Sequence, residues 1–495
     1  MGSTFGTYNV AYTGMYVNHA GLSSTSNNLA NVNTTGASRV RTENADQSAV
    51  QTDRTYLVNG TTVEAITRAR DQLLDSTYRT QNAAASYWAV KSGNLEYMQE
   101  ILSEFDGTDT DSDGMADNGV QQMIQDFFDS WEELSKDPDS ESNRQAVTEA
   151  AASLLSALSG LDSQLAQLQQ DAVNGVKDGV ASLNDLAGQV AKLNKEISAA
   201  EAGGAEASYL RDQRDALLDE MSALANITVA ESNGTLQVTI GGVTLVNGDT
   251  VHELTVEGDG SAANPLTVKS GDYNCQVKIA SGSIKAYLED ADQTGYEAID
   301  TASLPYNFTA GAVSSISNLR QALNDLVTTL ATEVNSLHST GYGLDGSTGL
   351  AFFTAVDSSQ PLSIANIQVN PELVSDPDKL AASASGEEGD NSIADAICDL
   401  STGDYFAVDG LAMNIDDFYE AVVSWLGTAG DKATSSYNTQ TTLVTQVDNQ
   451  RQAVCGISMD EEMSNMIMYQ NAYSASARVL SVIDGLVAGL IEDLG

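Results

Sequence analysis

The sequence is short of the side chains on which most enzymes depend. In 495 residues there are three histidines (His19, His252 and His338) and three cysteines (Cys275, Cys398 and Cys455), and neither set clusters. Cysteines so far apart, and odd in number, give neither metal-ligand spacing nor a disulfide framework. Cys275 and Cys398 are expected to be small buried hydrophobes. No G-x-S-x-G elbow, P-loop or H-E-x-x-H helix occurs, so catalysis is not expected. Basic side chains are also scarce, 22 against 69 acidic ones, for a formal charge of −47. Such a chain repels phosphates, which argues against nucleic acid and anionic membrane as partners. No run of eighteen apolar residues is found, and Asp484 interrupts the best C-terminal candidate. No basic segment followed by an apolar one opens the chain, so no cleaved signal peptide is expected.

What the chain does have is length and helical periodicity. Its size calls for about two to four domains. Ser458 stands three residues before Glu461, the spacing of a capping box, and Asp460, Glu461 and Glu462 suit the positive end of a helix. From there Met459, Met463, Met466, Gln470, Tyr473, Ala477, Leu480, Ile483, Val487, Leu490 and Leu494 recur in steps of three or four. This is a coiled-coil seam on a helix roughly 55 Å long. Near the other end Phe5, Tyr8, Tyr12, Met15, His19, Leu22, Ser26 and Leu29 repeat in the same way. Matching seams predict that the termini pair as a helical stem, or that both helices pack into a globular core.

Between the ends the period changes twice. Asn and Gly residues after Leu29 predict a helix stop near 31–33, then short strands at 56–58 and 63–67. Helical patterns cover 70–105, 120–134, 142–202 and 209–224, the last two joined by Gly203-Gly204. From Asn226 the period falls to 2, with strands expected at 227–229, 236–240, 243–246, 254–256 and 276–279. Helix is expected again at 313–337, 391–400 and 415–454, with a strand candidate at 362–369. The fold class is multidomain, mainly α with a β-rich insertion (α+β). The expected divisions are a terminal stem (1–68 and 457–495), a helical rod (69–225, 311–340 and 391–456), a β-rich insertion (226–310) and a loop-rich segment (341–390). One further candidate is acidic. Asp109, Asp111, Asp113 and Asp117, with Gly114, match the front of a calcium loop, yet Val120 stands where its bidentate Glu belongs. Calcium and a solvated acidic loop are both open readings.

The two ends also carry a resemblance. Asn28-Leu29-Ala30-Asn31-Val32-Asn33-Thr34-Thr35-Gly36 resembles the N-terminal signature of bacterial flagellar rod, hook and hook-associated proteins. Residues 457–466, followed by Tyr469 to Val479, resemble the matching C-terminal signature. Inside the chain, Asp126-Phe127-Phe128, Asn143 to Val147, Leu210 to Asp219 and Gly282 to Glu289 are similar to the hook–filament junction members of that axial family. Thr35 and Ala37 depart from the proline and aromatic often found around the signature glycine. The resemblance implies a structural subunit without a cofactor, exported unfolded by the flagellar type III apparatus to an extracellular flagellum. It also implies a homo-oligomeric ring, the hook protein and a second junction protein as neighbours, and a cytosolic chaperone on the C-terminal helix. Another axial subunit and a secreted coiled-coil adhesin or effector are the alternatives.

Overall fold

Ser140, Ser314 and Asn414 each accept a backbone N–H three residues on, and each starts a long helix. In the computed structural model of the protein the described residues are 4–34, 36–47, 49–52, 55–58, 60–102, 119–204, 206–232, 234–293, 306–308, 314–408 and 410–494. The helices are α1 (Thr4–Ala30), α2 (Gln72–Leu102), α3 (Val120–Lys136), α4 (Glu141–Glu201), α5 (Ser208–Leu224), α6 (Ser283–Asp290), α7 (Ser315–His338), α8 (Pro371–Ser375), α9 (Ser392–Cys398), α10 (Ile415–Cys455) and α11 (Met459–Leu494). The Asp137–Ser140 break between α3 and α4 is locked by a buried guanidinium. Arg144 Nε and Nη2 donate to the Pro138 carbonyl at 2.9 and 2.7 Å, and Nη1 donates to that of Leu380.

The strands are few and antiparallel where they matter. β1 (Val40–Asp46) pairs with β4 (Thr61–Arg68) across a bulge at Glu43/Asn44, and β2 (Ala49–Thr52) pairs with β3 (Thr55–Val58). β5 (Ile227–Ser232), β6 (Thr235–Ile240), β7 (Val243–Asn247) and β8 (Thr250–Val251) form a four-stranded meander. β9 (Leu254–Glu257) pairs with β10 (Thr267–Ser270). Two strand expectations change. Residues 276–279 run beside β10 through one isolated bridge, Gln276 to Lys269, without becoming a strand. Only Gln368–Val369 of the 362–369 candidate is strand. The insertion also contains α6, whose eight residues are too few to show a period in sequence.

α4, 61 residues and so roughly 90 Å long, is the spine of two cores. Its first half gives Val147, Leu154, Leu158 and Leu165 to a core with α3, α7 and the start of α10. Phe352, Phe353, Leu373 and Leu380 belong to this core, so segment 341–390 is part of it and not a separate piece. The second half of α4 gives Val176, Val180, Leu183 and Val190 to a core with α5, α6 and the β5–β10 sheets. The boundary expected at 226 therefore cuts a shared core. The reason is physical: a thin meander has one apolar face, and α4 and α5 are what cover it.

His338 closes the first core. Its Nδ1 donates to the Leu350 carbonyl at 2.8 Å, and its Nε2 accepts the Ala381 N–H at 2.9 Å. Burial, with the Arg144 guanidinium adding to it, pushes this imidazole down to about 4 against the Leu350 bond. A depressed folded value gives stability that is complete above the unfolded value of about 6.5 and is lost as pH falls towards 4. The stability difference between the parent and His338→Gln is expected to shrink by up to about 3 kcal/mol over that window in chemical unfolding. A difference that does not change with pH contradicts it.

Candidate functional site: a terminal stem and its joint

The first charged side chain of the sequence is Arg39; the preceding 38 residues have none. Between Met463 and Ile483 the only charge is Arg478. In a chain at −47 these two stretches stand apart, and the fold brings them together as α1 and α11. The helices run antiparallel: Gly14 faces Ser476, Gly21 faces Tyr469 and Asn28 meets Glu462, each step being one heptad. The approach is close. A Cβ on Gly21 would sit 2.6 Å from Tyr469 Cε1, and one on Gly14 would sit 3.3 Å from Ser476 Oγ. Small residues of α1 make room for α11 side chains such as the Tyr469 ring, and Ala11 and Thr25 are buried on α1 beside them.

The expected termini pairing is present, on a face that matches the expected one only in part. The covered side of α11 runs through Glu462, Met466, Tyr469, Tyr473, Ser476, Leu480 and Ile483. Met466, Tyr473, Leu480 and Ile483 of the expected seam are on it, whereas Met459, Met463 and Val487 are exposed. On α1, Tyr8 and Tyr12 are exposed, and Met15, Leu22 and Leu29 are half-buried. The side chains of Phe5, Leu490 and Leu494 lie outside the described residues. The miss has a plain cause: large apolar residues mark a seam in sequence, and here α1 meets the Tyr469 ring of α11 with a glycine. Tyr16, Ile467, Met468, Val479, Val482, Leu486 and Ile491 are exposed too, Tyr16 by 61% and Ile491 by 66%. So many large apolar side chains left exposed on two adjacent helices mark an interaction site.

The signature turn is the base of the stem. Asn28, buried, donates through Nδ2 to the Val40 carbonyl at 2.9 Å and to Glu462 Oε2 at 3.0 Å, and its Oδ1 accepts the Val40 N–H at 2.9 Å. Arg39 pairs with both Glu461 and Glu462 at 2.8 Å. These carboxylates therefore hold β1 to α11, a task beyond capping their own helix. Asn31 closes the helix end on Asn27, Asn33 is exposed, and Gly36 takes φ 82°, a left-handed turn that glycine permits. Thr35 lies outside the described residues, as do Asp109, Asp111, Asp113 and Asp117.

Beneath that turn lies a joint that was not anticipated from the sequence. Asp212, Asp215 and Asp219 recur at steps of three and four, so α5 carries an acidic stripe on one face. Arg68 of β4 reaches Asp212 at 2.7 Å and Asp215 at 2.9 Å. Arg70 reaches Asp215 at 3.0 Å and Arg79 of α2 reaches Asp219 at 2.8 Å. Arg451 of α10 pairs with Asp219 at 2.5 Å and lies 3.9 Å over the Tyr78 ring. Ser38 Oγ donates to Asp212 at 2.6 Å. Burial alone would raise the Asp215 carboxyl, but Arg70, Arg68 and Arg79 outweigh it and hold it below the usual value. One helix thus gathers the stem loop, β4, α2 and α10. The helical spacing of the three acids was the signal available in sequence; their partners, scattered from 68 to 451, gave none.

Comparison with known proteins agrees with this layout. The sequence model described as "Flagellar hook-associated protein FlgK helical domain" matches residues 112–353, and that described as "Flagellar basal body rod FlgEFG protein C-terminal" matches 454–490. Together the two segments take in more than half of the chain. "Flagellar hook-associated protein 1" of Bacillus subtilis (strain 168) is 27% identical over 531 residues, covering 100% of this chain and 99% of that one. Its namesake in Escherichia coli (strain K12) is 25% identical over 98% of this chain and 99% of its own. The solved structure of the flagellar hook junction protein FlgK from Burkholderia pseudomallei shares the fold at TM-score 0.61 and 15% identity, over 77% of this chain and 100% of that one.

Removing one partner of a buried ionic cluster leaves the others uncompensated, at a cost of about 3–5 kcal/mol. Asp215→Asn is expected to lose stability of that order in denaturant unfolding, since Arg68, Arg70 and Arg79 all remain. A loss below about 0.5 kcal/mol, the level of an ordinary surface change, contradicts the joint.

Proposed function

The chain belongs to the FlgK-type family of flagellar hook-associated proteins, and from that membership we propose that it is the structural subunit that joins hook to filament. Members of this family build the flagellum as structural components. The observation that carries the reading is the apolar outer face of α1 and α11, uncovered along the described stem. Each large apolar side chain contributes about 1.5–3 kcal/mol when fully buried, so a stem with this many exposed gains strongly from packing on neighbours. Stems of successive subunits form the axial core, as a homo-oligomeric ring seated between the hook protein and a second junction protein. The α2–α10 body makes the next shell, and β5–β10 face outward on the far side of α4.

Before assembly the same face needs cover, which a cytosolic chaperone on α11 supplies. Export then proceeds through the flagellar type III apparatus without a cleaved signal. No helix of the described residues is long and apolar enough to cross a membrane. No step in this role calls for catalysis.

A strain lacking the protein is expected to show hooks without filaments in electron micrographs, with filament protein released to the medium. Normal flagella on that strain contradict the junction role.

A further inference from the structure

Lys91 is the only charged side chain between Arg79 and Glu96 of α2, and it is buried. It meets the end of α6. Its Nζ lies 2.6 Å from Asp290 Oδ1 and 3.1 Å from Glu289 Oε2. Asn94 Nδ2 donates to the other Asp290 oxygen, Oδ2, at 2.6 Å, and the Tyr87 hydroxyl donates to Glu289 Oε2 at 2.7 Å. Lys91 is 6% exposed and Asp290 1%, and one helical turn away Leu95 and Ala286 are buried too. A charge pair desolvated to this degree recovers little from its own attraction. An amide between the same two side chains carries no charge at all. The two carboxylates are also placed differently. Burial pushes the Asp290 carboxyl up despite Lys91. Burial pushes Glu289 the same way, but Tyr87, Lys91 and Lys285 outweigh it and hold Glu289 below its usual value. Neighbouring acids driven apart in this way divide into an acid and a base.

We propose that Lys91 and Asp290 join covalently, in an isopeptide bond that ties α2 to α6. Glu289 takes a proton from the Lys91 ammonium, and the freed amine attacks Asp290 Cγ. That carbon is one bond beyond the oxygen Lys91 already touches, at about the 3–3.5 Å of a near-attack pair. Asn94 holds Oδ2, where negative charge gathers as the new bond forms. The Cγ–Oδ1 bond then breaks, and Glu289 returns its proton to the departing Oδ1. Counted from ammonium and carboxylate, Oδ1 leaves as water with two of the three ammonium hydrogens, and the third stays on the amide nitrogen. No oxidant or co-reactant is needed. The two residues are 199 positions apart, so the bond closes only after the chain has folded.

The test is the mass of the full chain, folded and then denatured, with a tryptic digest to locate any bond. The chain is expected to be lighter than its sequence by one water. The digest should give a branched peptide joining the segments around Lys91 and Asp290, with no cleavage after Lys91. Lys91→Arg, which keeps the ion pair, is expected to restore the full mass. Asp290→Asn is expected to close the bond as well, losing ammonia in place of water. Glu289→Gln is expected to slow closure about a hundredfold. A parent chain that is folded by circular dichroism yet keeps its full mass overturns the proposal. So does a lost water that maps elsewhere or persists in Lys91→Arg. Closure of Glu289→Gln at the parental rate overturns the role given to Glu289.

Discussion

The contact between Gly21 and Tyr469 sets the orientation on which the rest depends. With no room for a Cβ there, the Tyr469 ring lies against the α1 backbone at Gly21, and that contact sets how α1 and α11 face each other. On α1 the small Ala11, Gly21 and Thr25 turn inward and Tyr8, Tyr12 and Tyr16 outward, while α11 covers Tyr469, Tyr473, Leu480 and Ile483 and leaves Ile467, Met468, Val482 and Leu486 exposed. A stem sealed by its own tyrosines, methionines and leucines would have nothing left for neighbours. The contact has a polar anchor at its base, where Asn28, Arg39, Glu461 and Glu462 tie α1, β1 and the start of α11 into one unit. The buried Asn28 fixes register, since a slip of one residue would strand both its amide and Glu462.

The joint transmits this geometry to the body. Asp212, Asp215 and Asp219 collect cations from a strand, two helices and a loop that are far apart in sequence, in a protein with only 22 basic side chains. A cluster so dependent on arginine is the opposite of the surface, which is acidic and well hydrated. It makes the angle between stem and body a property of buried, paired charges.

The helices were legible because their ends are marked: Ser140, Ser314 and Asn414 cap, and turns follow Ala30 and Glu201. The pairing of the termini was legible from their matching period. Which face pairs was not, because Gly14 and Gly21 give no hydrophobic signal in sequence and act only through proximity. The shared core of α4, α5 and the meander was hidden for a related reason. Val176 to Val190 read as the stripe of any helix, and nothing local says whether a helix or a sheet will cover it. The acidic stripe of α5 was visible, but its meaning lay in residues up to about 230 positions away.

Hydrogen exchange on the free monomer, read along α11 and compared with the assembled protein, tests the orientation of the stem most directly. An isolated helix pair anchored at one end frays from the other. The monomer should therefore show protection near Glu462 to Tyr473 that fades towards Ile491, and assembly should make it even along the helix. Uniform, strong protection out to Ile491 in the monomer would mean that the stem is complete on its own, and that its outward apolar face has no neighbour to wait for.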